Sequence, residues 1–233
     1  MNIKQLIGGV LLTFLLLNGS AQAGIVVGGT RLIYDGSKRE ASLSIKNPDS
    51  VPYLIQTWAD ADGVAGGNKG AAKPPFMITP PLFRLESGSE NRVRIIRTGG
   101  DLPEDKESVY WLNVKSIPSS SRSEENVLQI TIKTRIKLFY RPAGLKGLTE
   151  DDYKSVTFNR AGNKLHVTNP TPYYLTFYSL KMGSAVFDTT NIMVPPKGSA
   201  DYKLPASAAG NQVAWQLIND YGGDSKTVTT LLR

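Results

Sequence analysis

One stretch of the chain, from Asn126 to Pro142, alternates apolar and polar residues over an unusual length. The apolar row occupies even positions and the polar row odd ones, with only Val127 and Phe139 breaking the alternation. A period of two with many β-branched residues predicts a β-strand. At about 3.3 Å per residue it would span roughly 40 Å, about twice the usual strand. Part of the apolar row should therefore serve something outside its own domain.

Shorter β-rich segments lie on both sides of this stretch. They are residues 25–34, 41–45, 53–58, 76–85, 93–98 and 109–114 before it, and 156–158, 164–168, 173–180, 187 with 192–194, 200–204, 213–218 and 227–231 after it. Thr79-Pro80-Pro81 predicts an edge or a switch between sheets, because proline cannot donate within a central strand. No segment shows sustained helical periodicity. Short strands separated by turn residues predict an all-β protein with two immunoglobulin-like sandwiches.

The chain divides into four parts. Residues 1–23 contain Lys4, an apolar run from Leu6 to Leu17 and the small-residue site Ala21-Gln22-Ala23, a pattern typical of a secretory signal peptide. The apolar run is short for a membrane span, so an N-terminal anchor is the weaker alternative. We expect the mature protein to begin at Gly24, without stable membrane insertion, with an N-terminal domain over 24–142. A glycine-containing linker over 143–149 precedes a C-terminal domain over 150–233.

Composition limits the chemistry. The formal net charge of +7 becomes +6 without Lys4, and for an exported protein this favours an acidic protein or a carboxylate over nucleic acid. There is no cysteine, and the single histidine, His166, cannot build a metal cluster; we expect a partly exposed strand residue. A hydrolase is disfavoured, because neither a G-x-S-x-G elbow nor a cysteine nucleophile is present. A catalytic carboxylate pair stays open, since acidic residues are plentiful.

The run from Leu102 to Pro118 reads L-P-E-D-K-E-S-V-Y-W-L-N-V-K-S-I-P and closely resembles the signature of the PapD/FimC-like periplasmic pilus chaperones. The end of the long strand, from Lys137 to Pro142, is similar to the strand with which these chaperones cap subunits. Further matches are Thr30-Arg31, Thr79-Pro80-Pro81, Asn169 to Tyr174 and Ile218 to Gly223. The short connection before Asn126 resembles the subfamily with a short F1–G1 loop. Unlike some relatives, this chain has no cysteine to hold its last strand.

This resemblance implies two immunoglobulin-like β-sandwich domains arranged as an L around an interdomain cleft. It implies a chaperone of the chaperone–usher pathway that binds, folds and caps pilus subunits by donor-strand complementation, without a cofactor or catalysis. The expected partners are pilus subunits and an outer-membrane usher. Self-capping of the free protein by dimerisation stays open. The alternative function is a secreted immunoglobulin-like adhesion protein or a pilus structural subunit.

The resemblance assigns Arg31 and Lys137 to a cleft that holds the C-terminal carboxylate of a subunit. Two cations converging in a partly dry cleft suit that ligand, although as isolated residues they could be ordinary surface cations. Lys137 has the opposite parity to the apolar row. Either the strand twists or bulges there, or Lys137 reaches the cleft from the other face of the strand.

Two further sets complete the expected site. Leu128, Ile130 and Ile132 would be the donor residues that enter the open core of a subunit; the alternative is an ordinary internal strand. Glu107, Arg141 and Asp220 match a family ion network across the cleft, which would fix the angle between the domains.

Overall fold

The computed structural model describes residues 24–61, 63, 73–119 and 128–233, so the predicted signal peptide over residues 1–23 lies outside the described residues. The described part of the chain forms sixteen strands and one short helix. The strands of the N-terminal half are β1 (Val26–Val27), β2 (Arg31–Asp35), β3 (Glu40–Lys46), β4 (Tyr53–Asp60), β5 (Phe76–Thr79), β6 (Leu82–Leu85), β7 (Glu90–Arg97), β8 (Ser108–Pro118) and β9 (Ile132–Arg141). The C-terminal half contains α1 (Glu150–Ser155), β10 (Thr157–Ala161), β11 (Lys164–Asn169), β12 (Phe177–Met182), β13 (Ala185–Val186), β14 (Gly198–Lys203), β15 (Gln212–Leu217) and β16 (Val228–Leu231). In these ranges no helix is long and apolar enough to cross a membrane.

The N-terminal domain is a sandwich of two sheets. One sheet has the strand order β1-β3-β7-β5 and the other has the order β2-β9-β8-β4-β6. Alternate residues of each strand point inward, so that Leu43 and Ile45 of β3 meet Leu112 of β8 and Leu138 of β9 in one buried core. The predicted all-β architecture of two immunoglobulin-like sandwiches is confirmed.

Two segments that look like single strands change sheets. The predicted strand over residues 25–34 is β1 in one sheet and β2 in the other. The break occurs at Gly28, where any Cβ atom would collide with the side chain of Ser44. The segment 76–85 likewise divides at Pro80-Pro81 into β5 and β6, one in each sheet, as the prolines predict.

The C-terminal domain is a second sandwich, with sheets β10-β11-β14 and β13-β12-β15-β16 around a core that includes Phe158, Phe177 and Trp215. Helix α1 was not predicted, because six residues are too few to show a helical period; Thr149 and Asp152 cap its start. The C-terminal strand is held without a disulfide. β16 pairs with β15, and the Arg233 N–H donates to the Phe158 carbonyl at 2.9 Å.

Strand β9 is shorter than predicted, because the prediction placed the start of the strand at Asn126 and this start was wrong. It begins at Ile132, and the preceding residues 128–131 are not part of a ladder. Neighbouring β8 ends at Pro118, and the last β8–β9 pair joins Ser116 to Ile132. An apolar alternation can specify a strand, but the backbone needs a partner to form a ladder. Of the remaining predicted strand residues, 126 and 127 lie outside the described part of the chain.

Candidate functional site in the interdomain cleft and along an open strand edge

The outer edge of β9 is open over half its length. Parallel β2 covers β9 only from Lys137 to Arg141, beginning with the pair Arg31–Lys137. From Ile132 to Ile136 the strand pairs with β8 alone, so its other edge presents free N–H and C=O groups among the described residues. Such an edge is a template for another strand.

The three predicted donor residues lie at and beyond this open edge, fully within reach of solvent. Leu128 is 84% exposed, Ile130 64% and Ile132 51%. Ile132 has the same parity as the buried residues Ile136 and Leu138, and the β8–β9 register is continuous between them. Ile132 therefore continues the core face of the sheet past the end of the core, and because all three residues are exposed, the alternative of an ordinary internal strand is wrong for them.

Lys137 lies on the opposite face of β9. No bulge interrupts the β8–β9 ladder, so Lys137 shares its face with Phe139 and Arg141, whereas Leu138 and Tyr140 face the core. Of the two interpretations left open by the sequence, the twist or bulge is not observed: Lys137 projects from the other face of the strand, the face whose Phe139 and Arg141 line the cleft. Phe139, which broke the alternation, contacts Tyr174 of the C-terminal domain with ring centroids 5.8 Å apart.

Arg31 and Lys137 are neighbours in register, and Arg31 lines the cleft. The Arg31 guanidinium lies over the Phe139 ring, and its Nη1 donates to the Ile218 carbonyl at 3.0 Å. Among the described residues, the Lys137 ammonium has no hydrogen bond or ion pair. Burial, and then the Arg31 charge, lower the pKa of Lys137 to about 8. Burial also lowers the pKa of Arg31, but the charges of Asp220 and Glu107 oppose that effect, so Lys137 is the cation of the pair that no carboxylate neutralises among the described residues.

The predicted network of Glu107, Arg141 and Asp220 is assembled across the cleft. Arg141 Nε donates to Glu107 Oε1 at 2.8 Å, and its two terminal nitrogens donate to the Asp220 oxygens at 2.6 and 2.8 Å. Glu107 is only 3% exposed, and its second oxygen accepts from the Tyr174 backbone N–H at 2.9 Å. One arginine therefore bonds a carboxylate from each domain.

Burial acts in opposite directions on the pKa values of Glu107 and Arg141. Burial raises the pKa of Glu107, although the Arg141 charge and the Tyr174 N–H oppose it. Burial would lower the pKa of Arg141, but its bonds to Asp220 and the charge of Glu107 raise it overall. Arg141 is thus neutralised from both sides, in contrast to Lys137.

The walls of the cleft include residues to which the sequence analysis assigned no role in a site. A cavity of about 210 Å³ lies between the domains, lined among others by Phe139, Tyr173, Tyr174 and Ile218. A second set of contacts holds β9 just before Lys137. Arg135 lies over the Trp111 ring at 4.5 Å and forms an ion pair with Asp60. Phe139 is an apolar residue at an odd position, and it was the sequence signal that the second face of β9 is buried there.

Two family descriptions match the chain, one after the other. Residues 24–146 match "Pili and flagellar-assembly chaperone, PapD N-terminal domain", and residues 151–229 match "Pili assembly chaperone PapD, C-terminal domain". The chain belongs to the PapD family of pilus-assembly chaperones.

Relatives of the chaperone agree with this assignment. It is 45% identical to the chaperone protein LpfB of Salmonella typhimurium over 97% of this chain and 98% of the relative. It is 41% identical to the chaperone protein FimC of Escherichia coli over 97% and 92%. Among solved structures, SafB of Salmonella enterica in complex with the SafA pilin covers 92% of this chain and 99% of that chain, with TM-score 0.80 and 33% identity. The periplasmic chaperone SfaE covers 90% and 100%, with TM-score 0.73 and 38% identity.

The ion network yields a first prediction about the chaperone. Replacing Arg141 with alanine leaves Glu107 as a buried carboxylate without its cation, which should cost about 3–5 kcal/mol of stability. The orientation of the two domains should also loosen, because the bidentate bond to Asp220 is lost. Calorimetry and small-angle scattering measure both effects. Arg160→Ala, at an exposed position of β10, is the control. An unchanged melting temperature and an unchanged scattering profile would reject the network as an orienting device.

The unneutralised lysine yields a second prediction. Lys137→Met removes a half-buried charge, so the free chaperone should become more stable at pH 7. We expect a rise in Tm of about 2–4 °C, below what the full pKa shift would imply, because the exposed part of the group is screened.

The pH dependence of this gain has a definite sign. The unfolded chain keeps Lys137 protonated to about pH 10.4, whereas the folded chain releases the proton near pH 8. Wild-type stability should therefore rise with pH between these values, and the advantage of Lys137→Met should shrink. Lys133→Met, an exposed neighbour on the same face, should change Tm little at any pH. A destabilised Lys137→Met protein would contradict the unneutralised-charge interpretation.

Proposed function

We propose that this chaperone binds pilus subunits in the periplasm, caps them by adding its β9 edge to their incomplete fold, and delivers them to an outer-membrane usher. We propose further that residues 1–23 direct export and are removed, so that the mature chain starts at Gly24. The observation that carries the proposal is the exposed apolar row at an open strand edge, which ends where Arg31 and Lys137 pair in register.

The open edge accounts for how a subunit would be held. Strand addition supplies backbone hydrogen bonds, and alternate side chains of the added strand fill pockets in the partner, as in known chaperone–pilin complexes. Leu128, Ile130 and Ile132 would be the donor side chains. Residues 128–131 have no ladder partner in the free chaperone, so a bound subunit would supply one. The strand would then approach the length predicted from its sequence.

The cationic cleft accounts for the register of the bound subunit. A terminal carboxylate between Arg31 and Lys137 would accept charge-assisted hydrogen bonds and neutralise two half-buried cations. A chain end fixed at Lys137 determines which subunit residue faces each donor side chain. Because a slip of one residue reverses the faces of a strand, the carboxylate and the apolar row act together.

Other functions fit the structure less well. A pilus structural subunit or an adhesion protein has no use for a half-buried lysine without a carboxylate, Lys137, on a strand that also carries an exposed apolar row. We propose no catalysis and no cofactor: His166 lies in β11 with its Nδ1 2.8 Å from Asp201 Oδ1, on an exposed sheet face. Dimerisation of the free chaperone through the same edge is a second candidate, favoured by the 51–84% exposure of the donor residues.

The donor row yields a third prediction. Ile130→Asp places an unpaired charge in the apolar groove of the subunit, which should abolish capping. The chaperone itself should stay folded, since Ile130 is exposed. Co-purification with a cognate subunit after co-expression measures this. Thr131→Asp, which adds the same charge on the other face of the strand, should retain far more of the complex. Equal complex formation by Ile130→Asp and wild type would refute the donor role.

The anchor yields a fourth prediction. Lys137→Met should weaken the binding of a peptide with the natural C-terminus of a subunit by about 30-fold or more, equivalent to roughly 2 kcal/mol. Amidating the peptide should weaken its binding to wild type by a similar factor and hardly affect binding to Lys137→Met, because both changes remove the same interaction. Lys133→Met is the control for general charge. Indifference of the wild type to amidation would show that the carboxylate is not bound in the cleft.

A further inference from the structure

The first residue of the expected mature chain lies at a defined place in the N-terminal domain. Ile25 packs against the domain core, and β1 pairs with β3 directly after it. These contacts hold Gly24 beside three side chains: a Cβ atom on Gly24 would lie 3.8 Å from Tyr53 Oη, 3.9 Å from Ile132 Cδ1 and 4.0 Å from Asp49 Oδ2. The chain start is therefore next to the first residue of β9.

The carboxylate of Asp49 is held rigidly but is only half satisfied. Its Oδ2 accepts from Tyr53 Oη at 2.6 Å, and the Asp49 backbone is fixed by Asn47 and Ser87. Its Oδ1 is buried and has no hydrogen-bond partner. Among the described residues, no lysine or arginine forms an ion pair with it. A buried carboxylate oxygen without a donor is costly, so this position calls for a cation or a hydrogen-bond donor.

We propose that the missing partner is the α-ammonium group of Gly24, created when the signal peptide is removed. Hydrolysis of the Ala23–Gly24 amide consumes one water, leaves a carboxylate on Ala23 and frees an amine that takes up a proton at neutral pH. In the uncleaved chain the same nitrogen is an uncharged amide with a single proton. The inference rests on the proposed mature start at Gly24.

The pair has a functional consequence. Before cleavage the Asp49 site is incomplete, so the N-terminal domain lacks a stabilising contact while the precursor awaits export. After cleavage the ammonium–carboxylate pair would fasten the chain start against Ile132, at the base of the exposed apolar row. Processing thus completes the fold beside the surface proposed to bind subunits.

The test uses the full mature chaperone isolated from the periplasm, whose intact mass first establishes the start at Gly24. Transamination with glyoxylate then converts the α-amine to a carbonyl and leaves lysines unchanged. We expect calorimetry to show a Tm lower by about 2–4 °C, which for a chain of this size corresponds to a modest ion pair. Asp49→Asn should lower Tm as well. Transamination of Asp49→Asn should then change Tm by less than about 1 °C, because the partner is already lost.

Asp101→Asn, which removes an exposed acidic side chain elsewhere in the N-terminal domain, should respond to transamination as wild type does. An equal Tm loss on transamination in wild type and Asp49→Asn would overturn the pairing, as would no loss in wild type. A mature start other than Gly24 would overturn it too. None of these results depends on subunit binding, so failure here is distinguishable from failure of the proposed chaperone function.

Discussion

The register of β9 is the constraint on which the rest of this molecule depends. Its even positions, Ile136, Leu138 and Tyr140, complete the core of the N-terminal domain, and its odd positions, including Lys137 and Arg141, lie on the opposite face. A slip of one residue would exchange the two rows, placing two cations in an apolar core. Pairing with β8 on one side and β2 on the other keeps the register, and both the domain junction and the candidate binding surface follow from it.

Two cations on one face of this strand have opposite surroundings, and this difference separates architecture from binding. Arg141 bonds carboxylates from both domains and is neutralised within the fold. Lys137, four residues earlier, has burial without a counterion, which lowers its pKa to about 8. The simplest reason for a protein to keep a charge that destabilises its free form is that a ligand neutralises that charge. The same reasoning applies to Ile132 and its exposed neighbours, whose apolar surface has no partner in the free chain.

Much of the fold could be predicted from alternation and turn residues, but three features could not. The Gly28-Gly29 pair signals a break in its segment but not a change of sheet, since the crowding of Gly28 against Ser44 exists only after folding. Helix α1 is too short to show a period, and its capping box had no apolar run behind it. The start of β9 depends on where β8 stops supplying a partner, because the last β8–β9 pair joins Ser116 to Ile132, which are 16 residues apart in sequence.

The sequence by itself determined the all-β class, the two domains, the parity of the long strand and its family, because side-chain period and motif spacing are local properties. Through its resemblance to the pilus chaperones, the sequence also identified the candidate residues of the cleft. Only the tertiary structure decided that Lys137 projects from the outer face of β9, that Arg141 joins Glu107 to Asp220, and that the apolar row before Ile136 is exposed. Burial and charge neutralisation depend on which distant strands meet, and a one-dimensional pattern does not contain that information.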